Sequence, residues 1–205
     1  MLERLTLEKA GDIATLFLDA PPQNRMDGVF FHELRTITRN VLPGLDTLGL
    51  VVRGRGRHFS SGADVEELLT TPQSDLPDNR EALTALESLP YPVVAAIDGA
   101  CFGSGLELAL TCRARLATGN ALLGLPEVTF DLMPGCGGTI RLGETVGLGP
   151  AIDMTLSGRF LDAKEARWIG LVDAVVPRKE LDAAAARLVR ALASDVTWKR
   201  NRVAR

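Results

Sequence analysis

The sequence predicts a single layered α/β domain in which buried strands alternate with helices. Two apolar strand-like runs are each followed by a glycine-containing loop and then by a segment with helical apolar spacing. The 205 residues, 46% of them hydrophobic and 24% charged, supply one substantial core but too little length for two ordinary domains. We therefore expect one domain over residues 1–192 and a basic tail over 193–205.

The first half of the chain predicts two rounds of strand, loop and helix. Apolar residues alternate on both sides of the turn Ala10-Gly11-Asp12, which predicts a hairpin, and recur at helical spacing after Pro21-Pro22. A loop from Gly54 to Asp64 follows the next buried strand, and Asp98-Gly99 follow the one after it. The predicted elements are two strands within 2–18, a helix over 29–45, a strand over 48–52, a helix over 80–89 and a strand over 92–97.

The second half opens on a helix that is approached through glycines. Helical apolar spacing runs from Ser104 to Cys112, so Gly103 to Gly105 lead into a helix N-terminus, which favours anions. The further elements predicted are strands over 115–117, 122–123 and 171–176, and helices over 137–146, 150–157, 163–169 and 181–192. The basic segment 198–205 is expected to be loosely ordered.

Charge and composition argue against several functional classes. The formal charge of −3, without blocks of one sign, gives no footprint for nucleic acid or an anionic membrane surface. No stretch approaches the ~20 apolar residues of a membrane span, and early charges argue against a secretory signal, so we expect a cytoplasmic protein. Cys101, Cys112 and Cys136 lack metal-binding spacing, as do His32 and His58, so reduced thiols and no metal are expected.

Two glycine-containing turns between strand and helix are candidates for an oxyanion hole. The segments Ser61-Gly62-Ala63-Asp64 and Gly103-Ser104-Gly105 could each present an unpaired N–H group, and such donors stabilise negative charge that develops on an oxygen. Either turn alone could equally be an ordinary strand-to-helix connection, since glycine is the default turn residue. Neither contains G-x-G-x-x-G, so a dinucleotide site is not supported.

Two carboxylates stand out from their apolar surroundings. Glu107 falls on the first turn of the predicted helix, where desolvation would raise its pKa towards a range useful for proton transfer; interaction with the helix dipole is the alternative. Glu127 lies alone in the apolar run 121–130, and either a buried ion pair with Arg141 or a functional role would explain it. Two carboxylates near one oxyanion hole would suit the addition of water to an activated double bond.

Together these segments resemble the crotonase superfamily, and specifically enoyl-CoA hydratase and isomerase. The stretches that carry the resemblance are His58 to Asp64, Pro92 to Glu107, Leu125 to Leu142 and Ala163 to Val172. They are similar to the family's F-x-x-G-A-D loop, its P-V-I-A-A segment ending in G-G-G-x-E, its P-E-(V/I) and P-G-x-G-G-T-x-R-L segment, and its A-x-E-A and G-L-V pattern. The resemblance implies a crotonase-like spiral of ββα units with a shortened C-terminal helical lobe.

The resemblance also implies roles for individual residues. The Ala63 and Ser104 N–H groups would be the oxyanion donors, and Glu107 and Glu127 would be the two catalytic glutamates. Arg25 would meet a CoA phosphate or simply be solvated. The residues implied in substrate binding are Asn24, Arg25, Ser61, Gly62, Asp64, Val65, Glu66, Gly103 and Gly135. No separate cofactor is implied, because coenzyme A is part of the substrate.

Three departures from the family pattern are visible. Ser104 stands where glycine is usual, and Arg113 stands where aspartate is usual. The chain stops at Arg205, without the further helices that relatives use to cover the site and to pack in trimers. A homo-oligomer, either a trimer or a dimer of trimers, is nevertheless the assembly that the resemblance implies.

The preferred hypothesis is syn hydration of a 2-enoyl-CoA, in which Glu127 protonates the α carbon and Glu107 activates the water. Double-bond isomerisation is the nearest alternative, because one carboxylate would suffice. Thioester hydrolysis and decarboxylation are further alternatives, to which Asp131 could contribute. A catalytically silent acyl-CoA-binding subunit is an alternative of a different class.

Overall fold

A computed structural model describes residues 2–71 and 79–195 of the chain. Within these ranges the strands form a larger sheet, in the order β1-β2-β3-β4-β6-β9, and a smaller sheet, in the order β5-β7-β8. The strands are β1 (Leu5–Ala10), β2 (Ile13–Leu18), β3 (Gly49–Gly54), β4 (Val93–Ile97), β5 (Ala100–Phe102), β6 (Ala114–Thr118), β7 (Leu122–Gly124), β8 (Leu161–Asp162) and β9 (Ala174–Val176). The predicted α/β fold is confirmed.

The helices cover both faces of the larger sheet. They are α1 (Gly28–Asn40), α2 (Val65–Thr70), α3 (Asn79–Glu87), α4 (Ser104–Thr111), α5 (Gly138–Val146), α6 (Leu148–Ser157), α7 (Ala163–Trp168) and α8 (Leu181–Ser194). On one face α8 packs Leu181, Ala185 and Val189 against the sheet. The opposite face and the smaller sheet share the main core with the other packed helices. No helix in the described ranges could cross a membrane.

The predicted hairpin opens the larger sheet. Strands β1 and β2 pair antiparallel, from Leu5 opposite Leu18 to Ala10 opposite Ile13. Gly11 makes the connection with φ +64°, a conformation that glycine adopts without steric cost. The remaining pairings of this sheet are parallel. The loops that follow β3 and β4 therefore emerge at the same edge of the sheet.

Several predicted boundaries move for local reasons. The first helix ends at Asn40 rather than residue 45, because Pro43 lies in the short 3-10 helix Leu42–Gly44, and a proline lacks the N–H group that would continue the helix. The last strand begins at Ala174 rather than residue 171, because the N–H groups of Leu171 and Val172 donate to Ala166 O at the end of α7. Residues 193 and 194, predicted as tail, belong to α8, and the tail from residue 196 lies outside the described residues.

Candidate active site

The loop after β3 runs alongside β5 and reaches the start of α4. Ser60 N donates to Ala100 O at 3.0 Å, and Phe102 N donates to Ser60 O at 3.0 Å. A Cβ atom at Gly62 would lie 2.7 Å from Phe102 O and 3.5 Å from Ser104 N. Gly62 also has φ +93°. Only glycine fits this close approach, which brings the two predicted turns together.

Two backbone N–H groups at this junction have no acceptor among the residues that the structure describes. Met26 bonds the peptide groups on either side of Ala63, since Met26 N donates to Gly62 O and Asp64 N donates to Met26 O. These two bonds leave the Ala63 N–H group without an acceptor in the described part of the chain. Ser104 is the first residue of α4, where N–H groups have no intrahelical acceptor and the helix dipole is positive. The N–H groups of Ala63 and Ser104 are therefore suited to act as the two donors of an oxyanion hole.

Glu107 is fully buried at the first turn of α4. Its Oε1 accepts hydrogen bonds from Cys136 N and Gly138 N, both at 2.8 Å. Its Oε2 is buried and has no hydrogen-bond partner in the described chain. Burial raises the pKa of Glu107, and the N–H groups of Gly138 and Cys136 oppose that rise. The carboxyl thus has one anchored oxygen and one free oxygen.

Glu127 lies in the 3-10 helix Pro126–Phe130, across the same turn. A Cβ atom at Gly103 would lie 3.1 Å from Glu127 Oε1, so this carboxyl borders the residue that opens α4. Its Oε2 is also buried without a partner in the described chain. Burial, assisted by the charge of Glu107, raises the pKa of Glu127 to about 7. The two carboxyls therefore lie near one another and near the free N–H groups.

The ion pair between Glu127 and Arg141, which the sequence left open, is absent from the described residues. Arg141 instead pairs with Glu87 at 2.9 Å and donates to Cys136 O at 2.8 Å. It thereby helps to hold the loop that anchors Glu107. The alternative that made Glu127 a structural ion-pair partner is wrong.

Cys136 and Gly138 are the site residues that the sequence interpretation missed. The Gly137-Gly138 pair was the available signal. Gly137 has φ +92° at the start of α5, and a Cβ atom at Gly138 would lie 2.7 Å from Glu107 Cγ. Gly138 is thus required by the approach of α5 to Glu107, and Gly137 by its left-handed backbone conformation.

Asn24 needs a correction, because its side chain is saturated and only 1% exposed. Its Nδ2 donates to Arg55 O at 2.9 Å and His58 O at 2.8 Å, and its Oδ1 accepts from Ala20 N. The amide shapes the loop that leads to Gly62. The predicted substrate contact of this side chain does not agree with its burial.

Arg25 and Asp64 form an ion pair at 3.1 Å beside the start of α2. Asp64 Oδ1 also accepts from the N–H groups of Glu66 and Glu67, which caps the helix. Arg25 holds the pKa of Asp64 below its usual range, and these N–H groups act in the same direction. Val65 and Glu66 form the first turn of α2, and half of the Arg25 side chain faces solvent. Asp64, Val65 and Glu66 are the three residues that follow the Ala63 donor.

The other residues predicted to bind substrate lie on the turns around the two carboxyls. Ser61 N donates to Gln23 O at 2.9 Å, and Gly103 N donates to Gly124 O at 2.9 Å. Gly135 is exposed in the loop that carries Cys136. In the described residues no cluster of His, Cys, Asp and Glu could hold a metal.

Comparison with known sequences identifies the family. The family model described as enoyl-CoA hydratase/isomerase matches residues 8–201. The fatty acid oxidation complex subunit alpha of Vibrio parahaemolyticus is 41% identical over 176 residues, which cover 81% of this chain and 25% of that protein. The corresponding Vibrio campbellii subunit is 40% identical over 83% of this chain and 26% of its own length. The chain thus spans about a quarter of the length of these curated relatives.

Comparison with solved structures identifies the fold. Pseudomonas aeruginosa DspI matches with a TM-score of 0.89 and 35% identity, over 97% of this chain and 79% of that one. The enoyl-CoA hydratase of Bacillus anthracis matches with a TM-score of 0.90 and 31% identity, over 98% and 82%. A Thermobifida fusca protein solved in complex with CoA matches with a TM-score of 0.85 and 30% identity, over 97% and 82%. The crotonase fold is confirmed, and the chain belongs to the enoyl-CoA hydratase/isomerase family of the crotonase superfamily.

Proposed function

We propose that the chain hydrates 2-enoyl-CoA thioesters, adding water syn across the double bond. The observation that carries this proposal is the pair of carboxyls of Glu107 and Glu127, each of which has one buried oxygen without a hydrogen-bond partner among the described residues. Hydration needs a base that takes a proton from water and an acid that protonates the α carbon. Two free carboxyl oxygens beside one oxyanion hole match those two tasks.

The oxyanion donors would act on the thioester oxygen. As water adds to the β carbon, the π electrons move towards that oxygen and form an enolate. The N–H groups of Ala63 and Ser104 would donate to this oxygen, aided by the positive end of the α4 dipole. The negative charge would therefore be stabilised where it develops.

The environments of the two carboxyls support different roles for them. Glu127 has a pKa of about 7, because it is buried beside Glu107, so it can carry a proton near neutral pH and deliver it to the α carbon. Glu107 receives two N–H hydrogen bonds on Oε1, which stabilise its charged form. Its free Oε2 would then take the proton of the attacking water. The pair would titrate together as one coupled system.

Isomerisation of the double bond is the second candidate, since the family includes isomerases. A single carboxylate that moves a proton between the α and γ carbons would suffice for that reaction. Hydration accounts better for the free oxygen on both Glu107 and Glu127. We therefore place hydration first.

Coenzyme A is the thioester carrier that we propose, with no separate cofactor. The neighbour from Thermobifida fusca was solved with CoA, which supports this choice. Arg25, exposed beside the Ala63 turn, is the proposed contact for a CoA phosphate. A role in fatty acid oxidation is supported by the names of the Vibrio relatives, and cysteines that form no disulfide bond within the described residues are consistent with a cytoplasmic location.

We also propose that the chain assembles into a homo-oligomer, either a trimer or a dimer of trimers. Large apolar side chains are exposed on two helices: Leu148 is 75% exposed and Ile152 is 55% exposed on α6, and Trp168 is 85% exposed on α7. Leu148, Ile152 and Leu156 follow one another at four-residue spacing and therefore form one stripe along α6. An apolar surface of this kind is typical of protein interfaces.

The test of the proposed reaction is loss of the conjugated-thioester absorbance of crotonyl-CoA. We expect the unmodified chain to consume it, and Glu107→Gln and Glu127→Gln each to reduce kcat by about 10²- to 10⁴-fold. Glu165→Gln is the matched control, because the side chain of Glu165 is half-exposed and pairs with Arg159. Binding of crotonyl-CoA without any loss of absorbance would refute hydration of this substrate.

A further inference from the structure

Ser104 contributes a side-chain hydroxyl to the site as well as its N–H group. It begins α4, three residues before Glu107, and residues three apart lie on the same face of a helix. Ser104 is 9% exposed and Glu107 is 0% exposed. The hydroxyl and the carboxyl therefore share one buried edge of the candidate site.

The Glu107 carboxyl lacks a partner on the oxygen that would do the chemistry. Oε1 is occupied by two N–H groups, whereas Oε2 has no protein donor in the described chain. The Ser104 side chain lowers the pKa of Glu107 through a hydrogen-bond interaction, although Oε2 has no partner of ordinary hydrogen-bond geometry in the described chain. A hydroxyl and a buried carboxylate oxygen on one helix face, with that oxygen lacking a partner in the described chain, are suited to holding a water between them.

We propose that Ser104 is a positioning residue, whose hydroxyl and the free oxygen of Glu107 hold the attacking water between them. This inference rests on the proposed hydration. As the C–O bond forms at the β carbon, one water proton passes to Glu107 Oε2, the π electrons enter the enolate, and the proton of Glu127 passes to the α carbon. The Ser104 hydroxyl accepts a hydrogen bond from the other water proton and is not consumed.

Several titratable and charged groups lie on the elements around α4, which carries Glu107. Helices α3 and α5 pack against α4, and the 3-10 helix Pro126–Phe130 faces it. The titratable and charged groups on these elements, on the adjoining loop and on β5, which also packs against α4, are Glu127, Asp131, Cys136, Arg141, Glu144, Arg80, Glu81, Glu87 and Cys101. Comparison of variants at Ser104 alone keeps all of these groups constant.

The experiment compares Ser104→Ala, Ser104→Gly and Ser104→Thr with the unmodified chain. All three variants keep the N–H group, so the oxyanion donor is retained. Thr111→Ala is the control, because Thr111 is a buried hydroxyl of the same helix that donates to Leu108 O at 2.7 Å. The readouts are kcat and KM for crotonyl-CoA across pH, and the ¹³C NMR titration of the Glu107 carboxyl in the free protein, assigned with Glu107→Gln.

We expect Ser104→Ala and Ser104→Gly to lower kcat about tenfold, the effect of losing one hydrogen bond to the water, with little change in KM. The Glu107 titration of the free protein should move to higher pH in both variants, because the Ser104 side chain lowers the pKa of Glu107 when no substrate is bound. Ser104→Thr should restore both quantities, and Thr111→Ala should change neither.

An unchanged Glu107 titration in Ser104→Ala, with or without a fall in kcat, would overturn the inference. The NMR readout needs no turnover. If the unmodified chain fails to hydrate crotonyl-CoA, the proposed function fails, and the titration still reports separately whether Ser104 acts on Glu107.

Discussion

At the residue scale, lone carboxylates in apolar surroundings proved to be the most informative sequence feature. Glu107 and Glu127 were singled out because each interrupts an apolar run, and both have raised pKa values caused first by burial. Asn24 shows the limit of this approach. Whether its amide faces a ligand or the protein depends on the path of a loop more than thirty residues away, which no local pattern describes.

The raised pKa of Glu127 predicts a stability that depends on pH. A carboxyl whose pKa rises from 4.5 to about 7 on folding binds more protons in the folded state, so stability falls as pH rises between these values. The glutamine side chain in Glu127→Gln cannot lose a proton, so this variant should lack the dependence of stability on pH. We expect the variant to gain about 2 kcal/mol in free energy of unfolding at pH 8, after allowance for partial solvation, and almost nothing at pH 4.

The measurement is urea denaturation of both proteins at pH 4, 6 and 8. Glu165→Gln, at a half-exposed site, should show no such trend. An equal effect of Glu127→Gln at every pH would mean that the carboxyl does not titrate in this range.

At the element scale, local chemistry predicted the longer helices and strands well. Hydrophobic periodicity identified α1, α3, α4, α5, α6, α7 and α8 within a few residues of their observed bounds. Strands β5 and β8 were not predicted, because three and two residues respectively are too few to show a hydrophobic period. The six-residue α2 was also missed, although Asp64 supplies its cap.

The close approach of Gly62 to β5 predicts a specific effect of an added methyl group. Gly62→Ala must place a Cβ atom 2.7 Å from Phe102 O at φ +93°, so the turn that carries the Ala63 donor should shift. Gly170→Ala is a matched control, because Gly170 has φ +82° with nothing within 4 Å of its Cβ position.

Both substitutions should lower the free energy of unfolding by about 1 kcal/mol, because alanine is disfavoured in the left-handed conformation. Only Gly62→Ala should also reduce crotonyl-CoA turnover by at least tenfold. A small displacement of a catalytic group can lower the reaction rate by about 10²-fold. Thermal unfolding and steady-state kinetics supply the comparison. Equal activity of the two variants would show that the geometry of this turn does not control the reaction.

At the scale of the whole molecule, the alternation of strands and helices in the sequence predicted the α/β class. The same alternation did not predict the smaller sheet. Its strands β5 and β7 are separated by a helix and by β6 of the larger sheet, and the pairing depends on long-range packing. The crotonase spiral was predicted through family resemblance rather than through periodicity. The convergence of the two turns likewise required three-dimensional packing around Gly62.

The apolar stripe on α6 predicts self-association that a single charge should weaken. We expect light scattering coupled to size-exclusion chromatography to give a multiple of the 22.0 kDa chain mass. Ile152→Glu should shift the mass towards that of one chain, because burial of an unpaired charge at an interface is costly. Leu48→Glu, at an apolar residue 46% exposed outside α6, should leave the mass unchanged. A single-chain mass for the unmodified protein would refute the proposed assembly.

The central claim, addition of water to an enoyl thioester, is tested most directly by mass spectrometry of crotonyl-CoA incubated with the protein in H₂¹⁸O. The account predicts a thioester product heavier by one molecule of labelled water, absent when Glu107→Gln or Glu127→Gln replaces the unmodified chain. A rearranged thioester of unchanged mass would establish isomerisation instead. Release of free CoA would establish thioester hydrolysis, and recovery of bound, unaltered crotonyl-CoA would contradict the claim that this chain acts on it.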